Sequence, residues 1–124
     1  MDYTLQEIAG LIDHSLLQPQ LTDSELEEGC RVAVKYRVAS VCLKPYYVAR
    51  AAKLLSGSTV AVGTTIGFPH GGQLTSVKLF ESERALDDGA KELDMVVNIG
   101  QVLSGNWDAV TSEISARRHS SSRR

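Results

Sequence analysis

An α/β fold of parallel strands joined by crossover helices is the class this sequence predicts, on three observations. Four short apolar runs of strand length recur along the 124 residues, and a segment with helical spacing follows each of them. The connections between these segments are short. Gly57, Gly63, Gly67, Gly71, Gly72, Gly89, Gly100 and Gly105 fall in or beside the expected strand ends and loops, where the chain must turn.

The elements follow in order. The first strand is expected over Leu11 to His14, and the first helix from about Thr22 to Arg37. Thr22 or Asp23 can cap that helix, and Leu26, Cys30, Ala33 and Val34 share one face. The second strand spans Ala39 to Leu43. Its helix runs from Pro45, a residue suited to a first helical turn, to Leu55, with Gly57 just past the end. The third strand covers Thr59 to Ile66. The helix after it runs from about Thr75 to Asp88, with Val77, Phe80, Ala85 and Leu86 as its apolar positions and Gly89 as its stop. The fourth strand spans Glu92 to Val97, and a fourth helix begins near Trp107 and includes Val110 and Ile114. Four such units are half of an eight-unit barrel, whose full length is about 250 residues.

At Arg117 the pattern breaks. From there the chain reads Arg-Arg-His-Ser-Ser-Ser-Arg-Arg, with no apolar residue. Two segments are therefore expected: residues 1–116 carry the α/β units, and residues 117–124 form a basic Ser/Arg tail that is disordered and solvated, or out of frame.

Composition narrows the function classes. A hydrophobic fraction of 43% and a charged fraction of 23% are those of a soluble globular chain. No apolar run approaches the roughly 20 residues that span a bilayer, and no basic segment followed by an apolar stretch marks a secretory signal. Cys30 and Cys42 are too few for a disulfide framework, and no C-x-x-C occurs. A reduced, cytoplasmic protein is expected. Net charge is −2, yet four of the 13 basic residues lie in the last eight positions, so the body carries nine basic residues against 15 acidic ones. Such a body is a poor binder of nucleic acid, which needs clustered cations on a folded face.

In parallel α/β folds the working residues stand at the carboxyl ends of strands and in the loops that follow. That singles out Asp13 and His14, Cys42 and Lys44, the loop from Gly67 to Gly72, and Asp94 and Asn98. Asp94 is the most informative. It stands between Leu93 and Met95, where burying an ionised group is costly unless it is paired or hydrated. Strand alternation sends Glu92, Asp94, Val96 and Asn98 one way and Leu93, Met95 and Val97 the other. If the second set faces helices, Asp94 faces the interior; the bland alternative is a structural aspartate bonded to backbone or lysine. Asp13 and His14 cannot face the interior together, and no ligand-spaced histidine cluster exists, so no metal is expected. His14 reads as a structural histidine. The loop from Gly67 to Gly72 lacks the Gly-Lys-Ser/Thr of a P-loop and reads as a tight turn.

Four motifs carry a family resemblance. Leu11-Ile12-Asp13-His14-Ser15-Leu16-Leu17 resembles the first-strand signature of the deoxyribose-phosphate aldolases. Ser40-Val41-Cys42-Leu43 before Pro45 resembles their second strand, and Ile66-Gly67-Phe68-Pro69-His70-Gly71 their third. The run from Gly89 to Gly100, with Glu92-Leu93-Asp94-Met95-Val96-Val97-Asn98, resembles their fourth and is the most specific; the Ser104-Gly105-Asn106-Trp107 turn also fits. In order and spacing these cover roughly residues 8 to 116.

The resemblance implies the N-terminal half of a (β/α)₈ (TIM) barrel. It also implies a class I aldolase of deoxyribonucleoside catabolism, cleaving 2-deoxy-D-ribose 5-phosphate reversibly to D-glyceraldehyde 3-phosphate and acetaldehyde without metal or other cofactor. Such chemistry needs a lysine amine, partly neutral at working pH, that forms a Schiff base with the sugar carbonyl. It also needs a carboxylate to move protons at the reacting centre. By resemblance Asp94 is that proton donor and acceptor, while Asp13, Cys42 and Lys44 line the substrate pocket. The family's Schiff-base lysine and the second, activating lysine lie on later strands, and their motifs are absent here. Lys44 alone among the five lysines stands at a strand's carboxyl end, where family members more often carry asparagine or an aromatic residue, so it does not read as a replacement nucleophile. The chain by itself is expected to be inactive, and to pair into dimers that complete the barrel.

Two other readings compete. A small doubly wound phosphoacceptor module has a similar length, but it needs an aspartate at the third strand's end, where this chain reads Thr65-Ile66-Gly67. A non-catalytic half-barrel that acts through assembly would use the exposed edges of its first and fourth strands.

Overall fold

The computed structural model describes the backbone of residues 2–121 and the side chains of residues 2–116. It opens with α1 (Leu5–Ala9), a five-residue helix outside the sequence expectation. Thr4 caps it reciprocally: the Glu7 N–H donates to the Thr4 hydroxyl oxygen, and the Thr4 N–H donates to Glu7 Oε2. Leu11 and Ile12 then turn, their N–H groups donating to the Ile8 and Ala9 carbonyls. This turn displaces the first strand from its expected place. β1 is Asp13–Leu16, so Asp13 opens the strand and does not close it.

The next unit is α2 (Asp23–Tyr36), capped by Thr22 with Glu25 completing the reciprocal pair, then β2 (Ser40–Leu43). Leu26, Gly29, Cys30 and Ala33 form the buried face of α2, while Val34 is exposed. A 3₁₀ turn over Pro45–Tyr47 leads into α3 (Val48–Leu54), and β3 (Ala61–Ile66) follows. α4 is Thr75–Asp87 and β4 is Glu92–Met95. α5 (Ile99–Leu103), a second short helix that was not foreseen, precedes α6 (Trp107–Ser121). α6 runs through the expected boundary at Ala116. Residues 122–124 of the expected tail, and the side chains from Arg117 onward, lie outside the described residues.

The four strands form one parallel sheet in the order β1-β2-β3-β4. A parallel crossover is right-handed almost without exception. With the order never reversing, each crossover helix is laid on the same face, as in a barrel and unlike a doubly wound sheet. The core agrees. Leu16, Val41, Leu43, Val62 and Ile66 pack in one cluster with Leu26, Cys30 and Ala33 of α2, Val48 and Ala51 of α3, and Ala85 of α4. The opposite face carries Asp13, Ser15, Ser40, Cys42, Gly63, Thr65, Glu92 and Asp94, two residues apart along each strand. The fold is thus four units of a (β/α)₈ barrel, with apolar side chains outward to the helices and small or polar ones inward. No helix among the described residues is long and apolar enough to cross a membrane.

Candidate active site

Strand register assembles the site on the inner face. Asp13 and Ser40 are paired across β1 and β2, and the Ser40 hydroxyl donates to Asp13 Oδ1 at 2.7 Å. Cys42 lies two residues further along β2, and its thiol donates to Asp94 Oδ2 on β4 at 3.2 Å. β3 runs between those two strands. The bond passes over β3, where the residues in register with Cys42 and Asp94 are Gly63 and Thr65. One ligand-type atom each from Asp13, Cys42 and Asp94 lies within 4.8 Å of the others. Alternation places these residues on one face, and the strand register brings them within reach.

Burial, then the hydrogen bond to Asp94, then the charges of Asp94, Asp13 and Glu92 push the Cys42 thiol up to about 12. At neutral pH the thiol keeps its proton and serves as a donor to Asp94, not as a thiolate nucleophile. Cys42 is 4% exposed, whereas Asp13 and Asp94 are open on the inner face. A carboxylate oriented by one donor and facing an open concave surface is placed to exchange a proton with a molecule held there.

Other expected positions are used differently. Lys44 follows β2 directly, and its ammonium donates to the Gln18 carbonyl at 2.8 Å and the Pro19 carbonyl at 3.2 Å. It also lies 5.5 and 5.4 Å from the Tyr46 and Tyr47 ring centroids. It ties down the β1–α2 loop and is not part of the trio. Asn98 caps α5, its side-chain oxygen accepting from the Gln101 N–H at 3.2 Å. His14 is half-buried on the opposite face from Asp13. The loop from Gly67 to Gly72 is a tight turn: the Gly71 N–H donates to the Gly67 carbonyl at 2.7 Å, and both residues have a φ of +66°. A Cβ on Gly71 would stand 2.0 Å from the Val97 carbonyl oxygen, so the loop lies directly on the carboxyl end of β4.

Of the apolar positions that the sequence gives α4, Ala85 is buried and Leu86 half-buried. Val77 and Phe80, two others of those apolar positions, are 49% and 66% exposed, and Lys78 and Ser82 are buried in their stead. Lys78 is wholly buried, its ammonium donating to the Val96 carbonyl at 2.9 Å and to Glu113 Oε2 on α6 at 2.8 Å. Glu113 also accepts from the Thr75 hydroxyl at 3.3 Å. A paired, hydrogen-bonded cation can occupy an interior that a lone one cannot. Hydrophobicity ranks this lysine outward. The overlooked signal was the spacing of Lys78, Ser82 and Ala85, one helix face two of whose three side chains are small enough to approach a sheet.

Comparison with known proteins agrees with this architecture. A family model described as DeoC/LacD family aldolase matches residues 8–121. The deoxyribose-phosphate aldolase of Rhodopirellula baltica is 54% identical over 113 residues, which are 91% of this chain and 47% of that protein. A crystal structure from Coccidioides immitis, assigned as a deoxyribose-phosphate aldolase, superposes with a TM-score of 0.90 at 38% identity, over 94% of this chain and 46% of that one. The deoxyribose phosphate aldolase of Aeropyrum pernix, described as a tetramer, superposes with a TM-score of 0.74 at 29% identity, over 89% of this chain and 50% of that one. The chain spans about half the length of the relatives it matches.

Proposed function

Because this chain belongs to the DeoC/LacD family of aldolases, we propose that it supplies the proton-moving half of a class I aldolase acting on 2-deoxy-D-ribose 5-phosphate. The observation that carries the proposal is the Cys42 thiol's hydrogen bond to Asp94 on the open inner face. Asp94 acts as the proton donor and acceptor at the reacting centre. Asp13, held by Ser40, keeps that face polar, and Cys42 forms its wall and orients the acid. Lys44 shapes the carboxyl end of the sheet by holding the Gln18 and Pro19 carbonyls.

The Schiff-base amine comes from outside the described inner face. Lys44 and Lys78 are bound to carbonyls or to Glu113, Lys35 lies over the Tyr36 ring, Lys53 lies on α3, and Lys91 precedes β4. The complete catalyst is therefore a barrel in which further strands supply the lysine, working as a cytoplasmic homo-oligomer on a small sugar phosphate, with no cofactor.

The test is reconstitution. The chain is mixed with the second half of the Rhodopirellula baltica relative, and cleavage of deoxyribose 5-phosphate is followed. Cleavage is expected in the mixture, and Asp94→Asn is expected to lower it by about 100-fold or more, the range of general acid–base catalysis. Undiminished cleavage with Asp94→Asn would refute the assignment. The unpaired outer edges of β1 and β4 favour a second reading, assembly without catalysis. It is separated by the same mixture, which would then associate but not turn over.

A further inference from the structure

We propose that Lys78 and Glu113 form a buried clip that fixes the carboxyl end of β4 and thereby sets where Asp94 stands against Cys42. The meaning of that position rests on the reading of Asp94 as the proton-moving acid; the clip itself rests on geometry. The Val96 N–H continues the sheet ladder by donating to the Ile66 carbonyl at 2.9 Å. On a strand the N–H and carbonyl of one residue point the same way, so the Val96 carbonyl also faces β3. There β3 has ended. The chain turns at Gly67 with a φ of +66°, before the next ladder donor, the Phe68 N–H, is reached. The Lys78 ammonium occupies the vacated donor position, 2.9 Å from the Val96 oxygen. Val96 lies one residue past the end of β4 and two residues beyond Asp94.

Three features fit a positioning device better than a chance burial. Lys78 is 0% exposed although Val77 beside it and Phe80 are exposed, so the inward place on α4 is held by the cation and not by the neighbouring apolar side chains. Glu113 fixes the ammonium from α6 with its side chain 7% exposed, and is itself held by Thr75 at the start of α4. A Cβ on Gly67 would come 2.8 Å from Lys78 Cε, so the loop leaves the lysine stem its passage. The clip thus joins α4, α6 and the end of β4 at one point. Lys78 is a positioning residue; it touches neither Asp94 nor the inner face.

The test reads the Cys42–Asp94 contact directly and needs no turnover, so its failure is distinct from failure of the aldolase reading. Each cysteine of the folded chain is labelled with a neutral disulfide at about pH 8 and quantified separately by peptide mass. Lys78→Met is expected to raise Cys42 labelling by about tenfold or more, because a thiol freed from Asp94 ionises more readily. Labelling of Cys30, buried on the other side of the sheet, should stay at its parental rate. Asp94→Ala should give the same gain, and adding Lys78→Met to it should give no more. Where Lys78→Met does not fold, Lys78→Met with Glu113→Leu, which keeps the space filled by apolar groups, is expected to show the same selective gain. Three results would overturn the clip: unchanged Cys42 labelling in whichever variant folds, a rise matched by Cys30, or gains from Lys78→Met and Asp94→Ala that multiply.

Discussion

The Cys42 thiol joins two strands that are not neighbours through one hydrogen bond to Asp94. The bond spans β3 at 3.2 Å and links the polar groups of the inner face. The thiol's environment has a measurable consequence at alkaline pH. An unfolded chain loses that proton near the ordinary value of 9.0, while the folded chain holds it to about 12. Between those limits the folded state binds more protons, so stability is full below about pH 9 and falls as pH rises. Urea melts from pH 8 upward should show this slope, and Cys42→Ser should flatten it. The raised thiol of Cys30 and raised phenol of Tyr47 leave a remainder of the same sign. Gly71 makes a second residue-scale test. Gly71→Ala must adopt a φ of +66° with its Cβ on the Val97 carbonyl, and is expected to cost about 2–3 kcal/mol in a denaturant melt. Asp13, Cys42 and Asp94 could be named from the sequence because strand alternation and the family motifs agree on them. Their convergence could not, since it depends on which β3 residue falls in register with Cys42. Register is set by the whole sheet, not by local sequence.

At the scale of elements, length and partnering decided what the sequence could reveal. α2 begins and α4 ends where capping and turn residues put them, each within a residue of expectation, because Thr22 with Glu25 and the glycine at position 89 are local signals. α1 and α5, at five residues each, are too short to establish a period. β1 slipped two residues along because Leu11 and Ile12, apolar as they are, hydrogen-bond back onto α1. The buried place of Lys78 on α4 is not legible locally, because the partner that admits it to the interior lies on α6, 35 residues away along the chain. Removing one member of that pair strands the other. Lys78→Ala or Glu113→Ala is therefore expected to lose about 3–5 kcal/mol, while Lys78→Met with Glu113→Leu should lose far less, as found for other buried pairs. On the exposed face, Phe80→Ser should change stability by no more than about 0.5 kcal/mol. A large loss there would mean that α4 buries Phe80 and not Lys78.

For the whole molecule, the uniform strand order puts every crossover helix on one face and leaves the other open. That open face is acidic, with Asp13, Glu92 and Asp94 all exposed, and among the described residues the outer strands β1 and β4 each have one edge without a strand partner. Leu11, Leu74 and Leu103 are 84%, 74% and 82% exposed, which adds apolar surface. Such edges and surfaces seek partners, so sedimentation of the isolated chain should show self-association that grows with concentration. A clean monomer across that range would speak against it. The central claim is that the acid of an aldol cleavage resides here while its amine comes from other strands. Borohydride trapping with deoxyribose 5-phosphate in the reconstituted mixture, followed by intact mass of each chain, tests it most directly. The expected result is a sugar-derived adduct on the complementing half, with the mass of this chain unchanged. An adduct on any lysine of this chain would contradict the claim.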